Sequence, residues 1–148
     1  MAKPSTHLIK ALIDTAKRLD SGASYSWGHL GKCNCGHLTQ TLTGVSPDEI
    51  HRKALSRGGD WGEVSDDYCP TSGMPVDQLI RTLLSEGLLL EDIAHLEELD
   101  DPKVLAHLPT SLPRHLKRND REHAAAYFRA WASLLRTNLA MANEGAIR

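Results

Sequence analysis

Two thiols and two imidazoles fall within nine residues of this chain: His29, Cys33, Cys35 and His37. A third thiol, Cys69, lies in the run Trp61-Gly62-Glu63-Val64-Ser65-Asp66-Asp67-Tyr68-Cys69-Pro70. Thiolate and neutral imidazole are the donors that zinc and soft iron sites favour. Cys33, Cys35 and Cys69, joined by His29 or His37, therefore make a candidate four-ligand set for zinc or iron. Glycines at 28, 31 and 36 give the backbone the freedom to bring those side chains together. The spacing is a single C-x-C, whereas zinc ribbons carry two C-x-x-C hooks. An open coordination position at such a site would activate water or take a small molecule.

The same residues admit thiol chemistry. A short helix is predicted from Cys35 to about Leu42, stopped by Gly44, with Asn34 as its N-cap. That places Cys35 in a first turn, where free N–H groups and the helix dipole favour a thiolate. Cys35 is then the candidate nucleophile or redox-sensing thiol, with a neighbouring histidine as base. A third reading is a non-catalytic interaction module. In it the cysteines fill space, as buried cysteines often do, and the histidines hydrogen-bond to backbone carbonyls.

These residues sit in two stretches, 21–45 and 58–74, that interrupt a helical pattern. The stretches hold nine of the eleven glycines, all three cysteines and four of the seven aromatic residues. Long loops inside a compact domain are uncommon and often functional. The working site is therefore expected where loops 25–37 and 61–69 meet.

The elements that must position those loops are helices. Leu8, Ile9, Leu12, Ile13, Ala16 and Leu19 recur at helical spacing over Ser5–Leu19, with Lys10, Asp14, Lys17 and Arg18 on the wet side. Ser46-Pro47-Asp48-Glu49 is a start signal for a helix ending at Gly58-Gly59. Val76, Leu79, Ile80, Leu83 and Leu84 mark a helix from Pro75 that stops at Gly87. Glu91–Leu99 is a short helix with Ile93 and Leu96 inward, and Asp101-Pro102 opens a turn reaching Leu108. The last helix follows Asn119-Asp120-Arg121-Glu122 and runs to about Asn143, with Phe128, Trp131, Leu135 and Leu139 as its apolar stripe. No segment alternates with period two, so little or no sheet is expected. The fold class predicted is all-α: a compact bundle of five to seven helices, one domain over 1–148, with the two glycine-rich loops packed together at one end.

Composition narrows the function classes. The 148 residues are 41% hydrophobic and 24% charged, an ordinary globular balance. Seventeen basic against nineteen acidic side chains leave a net charge of −2, which argues against broad adhesion to nucleic acid or anionic membrane. The stretch Arg114-His115-Leu116-Lys117-Arg118-Asn119-Asp120-Arg121 is a local exception able to meet phosphate, and it equally suits an exposed connector. No run of about 18 apolar residues predicts a membrane span, and no signal peptide opens the chain. An odd cysteine count does not suit a secreted disulfide framework, so a reducing cytoplasm is the expected compartment.

Overall fold

A computed structural model of the protein describes residues 1–27, 29, 31–58 and 78–147. Among these residues there are seven helices and no strand. The second glycine-rich loop, with Trp61 and Cys69, lies outside the described residues, as does the predicted helix start at Pro75.

Helix α1 spans Thr6–Asp20. Ser5 caps it, its Oγ accepting the Leu8 N–H at 3.1 Å. Its buried stripe is Leu8, Ile9, Ala11, Leu12, Thr15, Ala16 and Leu19. Helix α7, Arg121–Ile147, lies along it in the most extensive helix pairing of the fold. Alanines 124, 125, 126, 130 and 132 are all buried on α7 and leave room for α1 to approach closely. Tyr127, Phe128, Trp131 and Leu135 fill the remaining space. The helix runs four residues beyond the expected end near Asn143.

Helix α2 spans Asn34–Thr43 and ends at Gly44, whose φ of 73° is left-handed. Helix α3, Pro47–Gly58, starts where Ser46 Oγ accepts the Glu49 N–H at 3.3 Å. Gly31, three residues before α2, sits hard against the start of α3: a Cβ there would lie 1.8 Å from the Pro47 carbonyl oxygen. Only glycine lets the first loop close on that helix start.

Helices α4 (Gln78–Ser85) and α5 (Leu90–Glu98) follow. Asp92 accepts the Leu89 N–H at 2.8 Å and fixes the start of α5. The chain leaves α5 through Leu99 at φ 55°, a left-handed turn made by a non-glycine residue. Helix α6 is one turn, Pro102–Leu105, capped by Asp101. The guanidinium of Arg114 closes its far end by donating to the carbonyls of Leu105 and Leu108 at 2.7 and 3.2 Å. Buried residues from every helix form one cluster, which includes Cys33 and Cys35. Among the described residues no helix is long and apolar enough to cross a membrane.

Candidate functional site: a buried thiol and carboxylate centre

The first turn of α2 and the last turn of α5 meet inside the protein, and the two N-terminal thiols lie at that junction. Cys33, not Asn34, caps α2: its sulfur accepts the Gly36 N–H at 3.4 Å. Cys35 falls in the first helical turn, as its position relative to Gly44 predicts. Its sulfur lies 3.9 Å from the Ile93 carbonyl, and its backbone N–H donates to Glu97 Oε1 at 3.1 Å. Both thiols lie close enough to the Glu97 carboxylate to influence its ionisation. Cys33 is 2% exposed, Cys35 0% and Glu97 9%, so three acidic groups share one enclosed place.

Enclosure dominates their electrostatics. Burial pushes the Cys33 thiol far above its ordinary range, and the neighbouring Glu97 charge adds to the effect. Burial also raises Glu97, against the opposing pull of the Cys35 and Cys33 hydrogen bonds.

Asn34 caps a helix, though not its own. Its Nδ2 donates to the Leu96 and Glu97 carbonyls at 3.0 and 3.2 Å, two of the open acceptors at the end of α5. Its Oδ1 accepts the Tyr25 hydroxyl, which also lies against the Arg118 carbonyl. Trp27 Nε1 donates to the Glu97 carbonyl at 3.2 Å, and the Arg118 guanidinium stacks 4.1 Å above the Trp27 ring. The first loop is thus fastened over the end of α5 by its aromatic residues.

The two candidate histidines are engaged elsewhere. Two residues along a helix is a turn of about 200°, so His37 leaves α2 on the side away from Cys35. Its Nε2 donates to the Ser24 carbonyl at 2.9 Å, while Nδ1 faces Arg18 Nη2 at 3.4 Å and Gln40 Nε2 at 3.5 Å. Burial lowers its pKa to about 4, the Ser24 carbonyl opposes this, and the positive charges of Arg18 and Lys32 add to it. Arg18, expected on the wet side of α1, is a tie between helices instead. It donates to the His37 carbonyl at 2.6 Å and to Thr41 Oγ1 at 2.8 Å. His29 packs on α3, its ring stacked 4.1 Å from that of His51. Its Nδ1 accepts the Gly31 N–H at 3.0 Å, which places the proton on Nε2, facing Asp48 Oδ1 at 3.4 Å. Neither ring offers a lone pair towards the thiols in this arrangement. Among the described residues, no three His, Cys, Asp or Glu side chains stand together as a ready set of metal ligands.

Glu97 and Asn34 are the residues that a search for reactive side chains passes over. Glu97 carried a signal: it lies four residues after Ile93 and beside Leu96, on the inward stripe of its helix. The basic stretch 114–121 is largely spoken for. Arg114 caps α6, Arg118 pairs with Glu98 at 2.7 and 2.9 Å, and Arg121 donates to the Ala23 carbonyl at 3.5 Å. Beside it, a surface cavity of about 340 Å³ is lined by both signs of charge, among them Glu98, Asp100, Lys117 and Arg118.

The fold and this junction define a helical protein built around a closed thiol and carboxylate centre. No known family model matches the chain, and no curated protein or solved structure is significantly similar to it.

Proposed function

We propose that the protein is metal-centred, holding zinc or iron through the thiolates of Cys33 and Cys35. The carrying observation is that Cys33 and Cys35 are buried side by side at a junction where Glu97 Oε1 accepts the Cys35 N–H. A divalent cation would favour the thiolate form of both cysteines and balance the carboxylate in one step. The Gly36 N–H directed at the Cys33 sulfur and the first-turn position of Cys35 both favour the thiolate form. Closed sites suit structural zinc, whereas catalytic zinc keeps a position open. Cys69 is the natural third ligand by donor type. His29 and His37 would join only after giving up their present hydrogen bonds. A reducing cytoplasm is the compartment that suits such thiols.

Metal analysis of protein purified without a histidine tag tests this reading. One zinc or iron per chain is expected, lost together with thermal stability on treatment with chelator. Cys35→Ser should lower both. A metal-free protein whose melting is indifferent to chelator overturns the proposal. The second reading, a cysteine nucleophile or redox sensor at Cys35, is favoured by its position in the first turn of α2. It calls for one fast-alkylating thiol in metal-free protein. Slow, equal rates for all three thiols would leave the third reading, a helical interaction module, in its place.

A further inference from the structure

The surface cavity of about 340 Å³ lies between the end of α5 and the connector that leads into α7. That volume falls at the lower end of the range for small-ligand sites, about 300–1,000 Å³. Its charges are sorted by element. Glu98 and Asp100, at the end of α5, supply the acids, and Lys117 and Arg118, in the connector, supply the permanent bases. One pair forms across the gap and one does not. Arg118 Nη1 donates to both Glu98 oxygens, at 2.7 and 2.9 Å. Asp100 uses Oδ1 to hold His95 Nδ1 at 2.7 Å, and its Oδ2 has no partner among the described residues. Lys117 Nζ has no hydrogen-bond or ion-pair partner among the described residues either. An ammonium and a carboxylate oxygen thus line the same cavity without meeting.

Both walls are held in place by their backbones. Leu99 stands between the two acids at φ 55° and ψ 47°, the left-handed conformation. A non-glycine residue there is strained, and such strain persists where the surrounding structure enforces it. The Leu99 side chain is 1% exposed and anchors the turn in the core, while its two neighbours reach the cavity. On the basic side, the Lys117 N–H donates to His123 Nδ1 at 2.8 Å, and the Lys117 carbonyl accepts the Asp120 N–H at 3.0 Å. The Arg118 carbonyl accepts the Tyr25 hydroxyl, and its guanidinium lies over Trp27. Walls fixed before a ligand arrives lose less freedom on binding it.

Two acids and two permanent bases leave neither sign in excess. A simple anion drawn to Lys117 would also meet Asp100, and a simple cation the reverse. A ligand carrying both charges a short distance apart satisfies both open groups at once. We propose that this cavity binds a zwitterion of the free amino-acid class, its carboxylate on Lys117 and its ammonium on Asp100. The inference involves no zinc or iron and stands apart from the metal reading.

The probes are the standard free amino acids, titrated one at a time into full-length protein at neutral pH. Binding is followed through the backbone amide resonances of residues 98–100 and 115–119. At least one amino acid should give saturable shifts confined to those segments. Acetate and ethylammonium carry one of the two charges each and should bind at least about tenfold more weakly than that amino acid. Lys117→Gln and Asp100→Asn should each weaken its binding by about tenfold. Both positions are exposed, and asparagine keeps an oxygen for His95, so both variants should fold. Lys103→Gln removes the same charge from α6, outside the cavity lining, and should leave the affinity unchanged. Absence of binding by every amino acid overturns the proposal. So does acetate or ethylammonium binding as tightly as the best amino acid, and so do equal losses from Lys117→Gln and Lys103→Gln. Unchanged affinity in Asp100→Asn overturns it too.

Discussion

The α1–α7 pair and the α2–α5 junction are held together by different physics. Along α1 and α7 the buried contacts are chiefly between aliphatic, aromatic and alanine side chains, non-directional and spread over several turns, with the Asp20–Arg129 ion pair on the exposed side. At the junction of α2 and α5 the contacts are few and specific: Asn34 to two carbonyls, Cys35 N–H to Glu97, Trp27 to the Glu97 carbonyl. Apolar packing tolerates a change of neighbour if volume is kept. A polar junction does not, because each buried donor or acceptor left alone is penalised. The first region gives the protein its stability. The second gives it one defined arrangement of reactive groups.

The largest expected effect falls on the apolar pair. Trp131 is 1% exposed and meets Tyr127 edge-on at 6.2 Å. Trp131→Ala should leave a cavity and cost about 3–5 kcal/mol, read as a fall in denaturant midpoint. The buried indole Nε1 has no hydrogen-bond partner among the described residues, so Trp131→Phe should lose less than half as much. Equal losses for the two variants would mean that the indole is not held by packing alone.

Asn34→Ala comes next. It strands the Leu96 carbonyl and takes the Asn34 oxygen from the Tyr25 hydroxyl, while the Glu97 carbonyl keeps the Trp27 indole, and should cost about 1–3 kcal/mol in the metal-free protein. Its signature would be local: hydrogen exchange should quicken at the end of α5 while α1 and α7 keep their protection. Uniform acceleration throughout would show that the junction is no separate unit.

The pH dependence separates two buried groups with opposite signs. His37 ionises near 6.5 as a free side chain but at about 4 in the fold. Between those values the unfolded chain holds more protons, so this contribution is complete above about pH 6.5 and is lost as pH falls towards 4. Glu97, raised by burial, works the other way: acidification favours the fold through it, and that contribution fades as pH rises. His37→Gln should flatten the acid loss between pH 6.5 and 4 when melting temperature is followed against pH. A variant with the parent's acid profile would place the loss on other groups.

The smallest expected effect is Glu97→Gln in the metal-free protein. The amide oxygen still accepts the Cys35 N–H, and no charge has to be buried, so stability at neutral pH should hold or rise by at most about 1 kcal/mol. A loss well beyond that would show the carboxylate to be a structural anchor, as the apolar residues of α1 and α7 are.

The chain's local code was enough to place most of the helices. Ser5 and Ser46 act as caps, Gly44 and Gly87 adopt the left-handed conformation expected after a helix, and the apolar stripes of α1 and α7 are the buried ones. Each of these rests on residues three or four apart, which the sequence displays directly. The thiol-bearing loop was legible too, because cysteine, glycine and tryptophan rarely gather by chance. What only the tertiary structure decided is which partner each polar group meets. Asn34 reads as the cap of its own helix, yet its partners lie 62 and 63 residues away. His37 reads as a ligand beside Cys35, but helix geometry sends it to Ser24 and Arg18. Glu97 reads as one of several acids on a short helix, and only the docking of α5 on α2 turns it towards the sulfurs. Spacing along the chain fixes which face a side chain takes. What lies opposite that face depends on which helices pack together, and that is settled by the whole core at once.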